Sequence, residues 1–218
     1  LLLDASASMD WPKPSTEAGD SDHHKLLFAK RLFAALAYMG LTSGDRVMLS
    51  ALSDQGWQQF GPSRGRAQVV GMLRYAQALR AGGQTDLNTV LAEYAMREKR
   101  PGLTFILTDM FSPSGYSDGL NRLLGKGHEV VILHLLSPDE ITPPMAGDLR
   151  LVDSETGRPQ EVTIDAGMRT IYQQRLTAWL DGLRDECARK GVHYTLVQTN
   201  TPWEKVILFE LRRLGLVK

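Results

Sequence analysis

Asp4-Ala5-Ser6-Ala7-Ser8 sets three oxygen-bearing side chains at alternating positions directly after the apolar run Leu1-Leu2-Leu3. Such a run reads as the end of a buried strand, and in an open parallel sheet ligands sit beyond the carboxyl ends of strands. Thr85 and Asp109 stand in equivalent places. Thr85 lies in Gly82-Gly83-Gln84-Thr85-Asp86, a glycine-rich loop leading into a helix, and Asp109 follows the apolar run 103–108. Two carboxylates and three hydroxyls, from three loops on one edge, form a donor set for a hard cation. Magnesium suits it, since it prefers octahedral oxygen coordination and keeps several waters; manganese or calcium would accept the same donors. Each residue alone also has a plainer reading. Asp and Ser before a helix cap its free amides; Thr85 could cap a helix starting at Asp86, and Asp109 could cap a turn with Ser112.

The elements that must position these groups alternate. Strands are expected at 46–52, 57–60, 103–108, 129–136 and 193–198, and helices at 23–41, 67–79, 86–98, 117–124, 171–189 and 203–214. Asp22 stands where the first helix would be capped and Ser43-Gly44 where it would stop. The apolar faces are expected to be Leu26, Ala29, Phe33, Leu36 and Ala37 in the first helix, and Val70, Leu73 and Ala76 in the second. In the third they are Leu87, Val90, Leu91 and Tyr94, and in the long fifth Leu176, Trp179, Leu180, Leu183 and Cys187. The near-continuous apolar run 103–108 suits a parallel strand covered on both faces. Strands alternating with helices define an α/β three-layer αβα sandwich with a mostly parallel central sheet. Residues 1–218 read as one domain. Within it, 137–167 is an excursion, with strands at 149–152 and 161–164 flanking a turn-like segment in a β-hairpin.

Lys plus Arg is 25 and Asp plus Glu is 25 in 218 residues, a balance that gives no support to nucleic-acid or membrane-surface binding. No phosphate-binding or dinucleotide-binding glycine motif occurs. No run approaches the ~20 apolar residues of a spanning helix. The single cysteine, Cys187, allows no internal disulfide and points to a cytoplasmic protein. The chain starts inside an apolar run without a Met, so a tether or further domain upstream is expected, one that could anchor it to a membrane.

The residues Asp4, Ser6, Ser8, Thr85 and Asp109 resemble the metal-ion-dependent adhesion site of the von Willebrand factor A fold: Asp-x-Ser-x-Ser, then a Thr, then an Asp, each after a strand. Lys25, Gly44-Asp45-Arg46-Val47, the segment 83–87, Tyr172 and the closing segment 199–216 are similar to one bacterial branch, domain-of-unknown-function family 58. The resemblance spans essentially the whole chain. It implies a module that binds a protein partner, with a partner carboxylate completing the metal shell. It also implies work alongside a MoxR-type AAA+ ATPase in assembly or remodelling of protein complexes. The loop 10–22 has no fixed family length, and the family usually carries a segment upstream of the position where this sequence begins.

The rival function is a magnesium-dependent hydrolase or phosphotransferase with Asp4 as nucleophile. Such haloacid-dehalogenase-type enzymes need an acid/base two residues further on, where this chain has Ser6, and also a placed Lys and a further acidic pair. A non-enzyme is therefore expected; a scaffold with a vestigial metal site is the third reading. Elsewhere, His23-His24 read as a solvated helix start, His134 as a hydrogen-bonded core residue, and His128 and His193 as edge positions. Cys187 reads as a buried inert thiol, Met96, Met110 and Met145 as exposed residues near loops that could adapt to a contact surface, and Arg64-Gly65-Arg66 and 97–100 as solvated basic faces.

Overall fold

The computed structural model describes residues 1–13, 23–52, 58–144, 147–152 and 158–212. Its main sheet has the strand order β3-β2-β1-β4-β5-β8, where β1 is Leu2–Asp4, β2 Val47–Leu52, β3 Gln58–Ser63, β4 Leu103–Thr108, β5 Glu129–Leu136 and β8 His193–Gln198. All neighbours pair in parallel except the edge strand β3, which runs antiparallel to β2. This is the expected sandwich with a mostly parallel sheet.

Period-two alternation of strand side chains builds both cores. Leu3, Leu107 and Leu133 point to one face with α1 (Lys25–Ser43) and α2 (Val69–Ala78). Leu2, Ile106 and Ile132 point to the other, with α3 (Leu87–Arg97), α4 (Ser117–Gly125) and α6 (Ala166–Arg189). Each fully buried Leu or Phe contributes about 1.5–3 kcal/mol. Helix α1 places nine residues inside, among them Leu26, Phe28, Leu32, Phe33 and Leu41. It is also long and apolar enough by length and composition to cross a membrane, although Lys30 and Arg31 break it into shorter apolar runs; here its apolar side chains line the sheet.

Several expectations shift. His24, not Asp22, precedes α1; its Nδ1 accepts from the Leu27 amide and it is 6% exposed, so this histidine is a buried cap rather than solvated. Asp22, Trp57, Met145, Leu214 and the hairpin turn at 153–157 lie outside the described residues. On α2 the inward residues are Met72 and Ala76, whereas Val70 is 60% and Leu73 47% exposed. Ala76 faces inward as expected, and the narrow apolar stripe of α2 runs through Met72 rather than Val70 and Leu73. Helix α6 begins at Ala166, five residues earlier than its apolar pattern, with Asp165 as its cap. His128 is buried against the Thr104 hydroxyl and is no edge residue. Met110 is likewise buried. The hairpin forms as β6 (Gly147–Val152) and β7 (Pro159–Ile164), a separate two-stranded sheet preceded by the short helix α5 (Pro138–Ile141). The last helix starts at Trp203 as α7 (Trp203–Lys205) and continues as a π-helical turn over Val206–Leu211.

From β1 the chain proceeds to β2 on one side, and it later returns to lay β4 on the other. The topological switch point therefore falls between β1 and β4, where open α/β sheets leave a crevice at their carboxyl edge.

Candidate metal centre

Asp4 closes β1 and Asp109 follows β4, one on each side of that crevice. Asp4 is 2% and Asp109 0% exposed. The Asp4 carboxylate accepts two neutral donors: the Ser6 amide at Oδ1 (3.0 Å) and the Thr108 hydroxyl at Oδ2 (2.7 Å). Thr108 Oγ1 in turn accepts the Met110 amide. Ser6 and Ser8 share a hydrogen bond between their hydroxyls at 2.9 Å. The glycine-rich loop is fastened to this loop by two backbone bonds, Ala7 amide to Gly83 carbonyl and Gly82 amide to Ala5 carbonyl. Gly83 turns there with φ of 69°, a conformation glycine adopts without steric cost. Thr85 Oγ1 and the Ala5 amide donate to the same Leu52 carbonyl, which sets the Thr85 hydroxyl beside the residue after Asp4. Thr85 is no helix cap; Asp86 fills that role, accepting from the Thr89 amide. The fold thus brings Asp4, Ser6, Ser8 and Thr85 to one edge, with Asp109 across the crevice.

Burial pushes the Asp4 carboxyl up to about 6; the charge of Asp109 adds to the shift, and the Thr108 and Ser6 donors oppose it. Two buried carboxylates that feel each other's charge, together with hydroxyls, form a donor set chemically matched to a hard divalent cation. No group of three or more His, Cys, Asp or Glu side chains is poised to hold a metal among the described residues. A site of two carboxylates and three hydroxyls does not need one.

Three residues join this edge that the spacing argument did not single out for it. Thr108 orients Asp4, as above. Lys25 is wholly buried, its Nζ donating to Asp109 Oδ2 (2.7 Å) and Glu140 Oε1 (2.6 Å). Glu140 sits in the first turn of α5, where it forms a capping box with Ser137. A signal for Lys25 existed. A cation in the first turn of a helix opposes the helix dipole, and α1 has no acidic residue in that turn to offset it. Asp109 Oδ1 accepts the Phe111 amide, a turn made with Met110 at φ 59°, the non-glycine residue with positive φ among those described. Such outliers concentrate at functional sites. The Phe111 ring stacks on Trp179 of α6 at 5.2 Å, and Trp179 meets the edge of His134. His134 is a core residue bonded to the Tyr194 hydroxyl, and burial lowers its pKa to about 4.

The geometry defines an α/β sandwich with a polar centre at its switch point. The chain belongs to the family described as "Protein of unknown function DUF58", which matches residues 1–179. Uncharacterized proteins of Mycobacterium tuberculosis and Mycobacterium bovis are each 26% identical over 206 residues, covering 93% of this chain and 62% of the relative. The chain therefore spans about three fifths of the length of these curated relatives. A crystal structure of the conserved hypothetical protein BatB from Bacteroides thetaiotaomicron superposes with a TM-score of 0.54 at 16% identity, covering 98% of this chain and 96% of that one. That likeness shows the fold. An aerotolerance-related membrane protein from Bacteroides fragilis is similar at a TM-score of 0.49 and 16% identity, covering 94% of each chain.

Proposed function

We propose that this chain is a non-catalytic, metal-dependent protein-interaction module of the von Willebrand factor A type. A magnesium-type cation would be held by Asp4, Ser6, Ser8, Thr85 and Asp109, directly or through water, with a partner Asp or Glu completing the shell. The cation supplies Lewis acidity to that incoming carboxylate; the protein supplies buried, pre-oriented oxygens. The observation that carries this reading is the pair of buried carboxylates facing one crevice, with the charge of Asp109 helping to drive Asp4 to about 6. Few charged ligands leave the cation hungry for one more.

An Asp4 nucleophile is less well served. The acid/base position is Ser6, whose hydroxyl is bonded to Ser8. A buried lysine, Lys25, is present, but its ammonium bonds Asp109 and Glu140. In the proposed reading the protein works in the cytoplasm, a placement that rests on its single, unpaired cysteine, Cys187. A MoxR-type AAA+ ATPase is the proposed partner, a reading that rests on the resemblance drawn from the sequence alone.

Titration calorimetry with magnesium and manganese tests the centre: binding that disappears in Asp4→Ala and in Asp109→Ala supports it. Unchanged binding in both variants, or phosphatase turnover lost in Asp4→Asn, would overturn it. Co-purification of the ATPase that depends on Asp4 and Thr85 tests the partner.

A further inference from the structure

The two carboxylates of the centre are not equivalent. Asp4 spends both oxygens on uncharged donors, the Ser6 amide and the Thr108 hydroxyl. Asp109 gives Oδ1 to an amide and Oδ2 to an ammonium, that of Lys25 at 2.7 Å. The ammonium is completely shut off from water. It lies 5.4 Å from the centroid of the Phe111 ring, and its nearest charged neighbours on both sides are carboxylates. The second carboxylate, Glu140, holds it at 2.6 Å through Oε1 while Oε2 accepts the Ser137 amide. That second bond belongs to the α5 capping box, so the place of Glu140 is dictated by the start of a helix and not by the metal centre.

We propose that Lys25 is a tethered competitor for the metal ion, which sets the affinity of the centre, and that Glu140 is the alternative seat that moderates this competition. The inference rests on the metal-binding reading above. A divalent ion drawing on Asp109 meets a monovalent one already seated on the same carboxylate, and like charges in a low-dielectric pocket repel strongly. Lys25 cannot escape to solvent; its remaining partner is Glu140. Metal binding therefore shifts the ammonium's weight from Asp109 toward Glu140. Three carboxylates and one ammonium give the pocket two net negative charges, so a divalent ion neutralises it. Without Lys25 the pocket would hold three uncompensated carboxylates, a composition suited to tight retention of the ion. The lysine keeps occupancy weak enough for a partner carboxylate to add substantially to it.

Calorimetric titration with manganese tests this in four full-length chains: wild type, Asp4→Asn, Lys25→Met and Glu140→Gln. Lys25→Met should bind manganese at least tenfold more tightly than wild type. Glu140→Gln keeps a capping-box residue but leaves the ammonium wholly on Asp109; it should bind several-fold more weakly. A purely structural lysine would weaken or not alter binding when removed, and that result overturns the inference. If Lys25→Met does not fold, Glu140→Gln with unchanged affinity overturns it equally. Wild-type binding abolished by Asp4→Asn with Lys25→Met unaltered sinks the competitor role alone; no binding by wild type or Lys25→Met sinks the metal centre with it.

Discussion

Asp4 carries a charge that the folded protein does not favour. It is buried, and Asp109 repels it. Asp4→Asn keeps the shape and the acceptor for the Ser6 amide and removes the repulsion. In metal-free buffer at pH 7.5 the variant should therefore be more stable than wild type, by about 2 kcal/mol in urea denaturation. Magnesium should reverse the order, because a ligand that binds only the folded state stabilises the chain that retains its site. A variant that is less stable without metal would show that Asp4 is structural. Lys25 gives the converse case. Its ammonium is the buried counter-charge to Asp109 and Glu140. Removing one partner of a buried ion pair leaves uncompensated charge and costs about 3–5 kcal/mol. Metal-free Lys25→Met should lose stability on that scale, and a thermal melt should recover much of it on adding manganese.

Helix placement depends on closer tolerances. At Gly119, in α4, an added Cβ would lie 2.6 Å from the Asn88 carbonyl oxygen and 2.8 Å from Leu91 Cβ. Gly119→Ala must push α4 away from α3 and should cost about 2 kcal/mol, the scale of overpacking. The same end of α4 is pinned to α6 by Glu186, which accepts Tyr116 Oη (2.5 Å), Ser117 Oγ (2.8 Å) and Lys190 Nζ (2.8 Å). These donors, Lys190 first, hold its carboxyl down at about 2, against an ordinary 4.5. A depressed carboxylate stabilises the fold above its unfolded value, and that stability is lost as pH falls toward the folded value. The gap between wild type and Glu186→Gln should be about 2 kcal/mol at pH 7, allowing for partial solvent screening, and should shrink between pH 4.5 and 2. A gap independent of pH would remove the charged network from the account. The same elements show what a sequence discloses. β4 and β5 were legible because both faces are covered, so their apolar runs are uninterrupted. The first turns of α6 were not, because residues 166–172 are exposed and carry no periodic apolar signal. That Asp4, Ser6, Ser8, Thr85 and Asp109 would lie near strand ends at one edge was legible because strand ends and donor types are local properties. Lys25 and Glu140 meet across 115 positions, and a lysine beside an apolar stripe ordinarily reads as solvated.

At the scale of the whole molecule, one sheet carries the polar centre and a second, smaller sheet stands apart from it. β6 and β7 pair with each other and not with the main sheet. Their paired ends, Gly147 and Ile164, face one another across the ladder, so the chain on either side of the hairpin is separated by only about 5 Å. Residues 148–163 can thus be replaced by a single glycine without stretching the connection from α5 to Asp165, the cap of α6. The shortened chain should keep its far-ultraviolet circular dichroism and melt within a few degrees of wild type. Its manganese affinity should also be unchanged, since the donors and the Lys25–Glu140 pair lie outside the excised segment. A two-stranded hairpin has little stability of its own in water; in the proposed reading its role is to contact the protein partner. Partner capture by the shortened chain should therefore weaken at least tenfold while metal binding persists. Capture at full strength would strip the hairpin of any role in choosing the partner and leave recognition to the metal, the partner's carboxylate and the exposed Phe111 beside them.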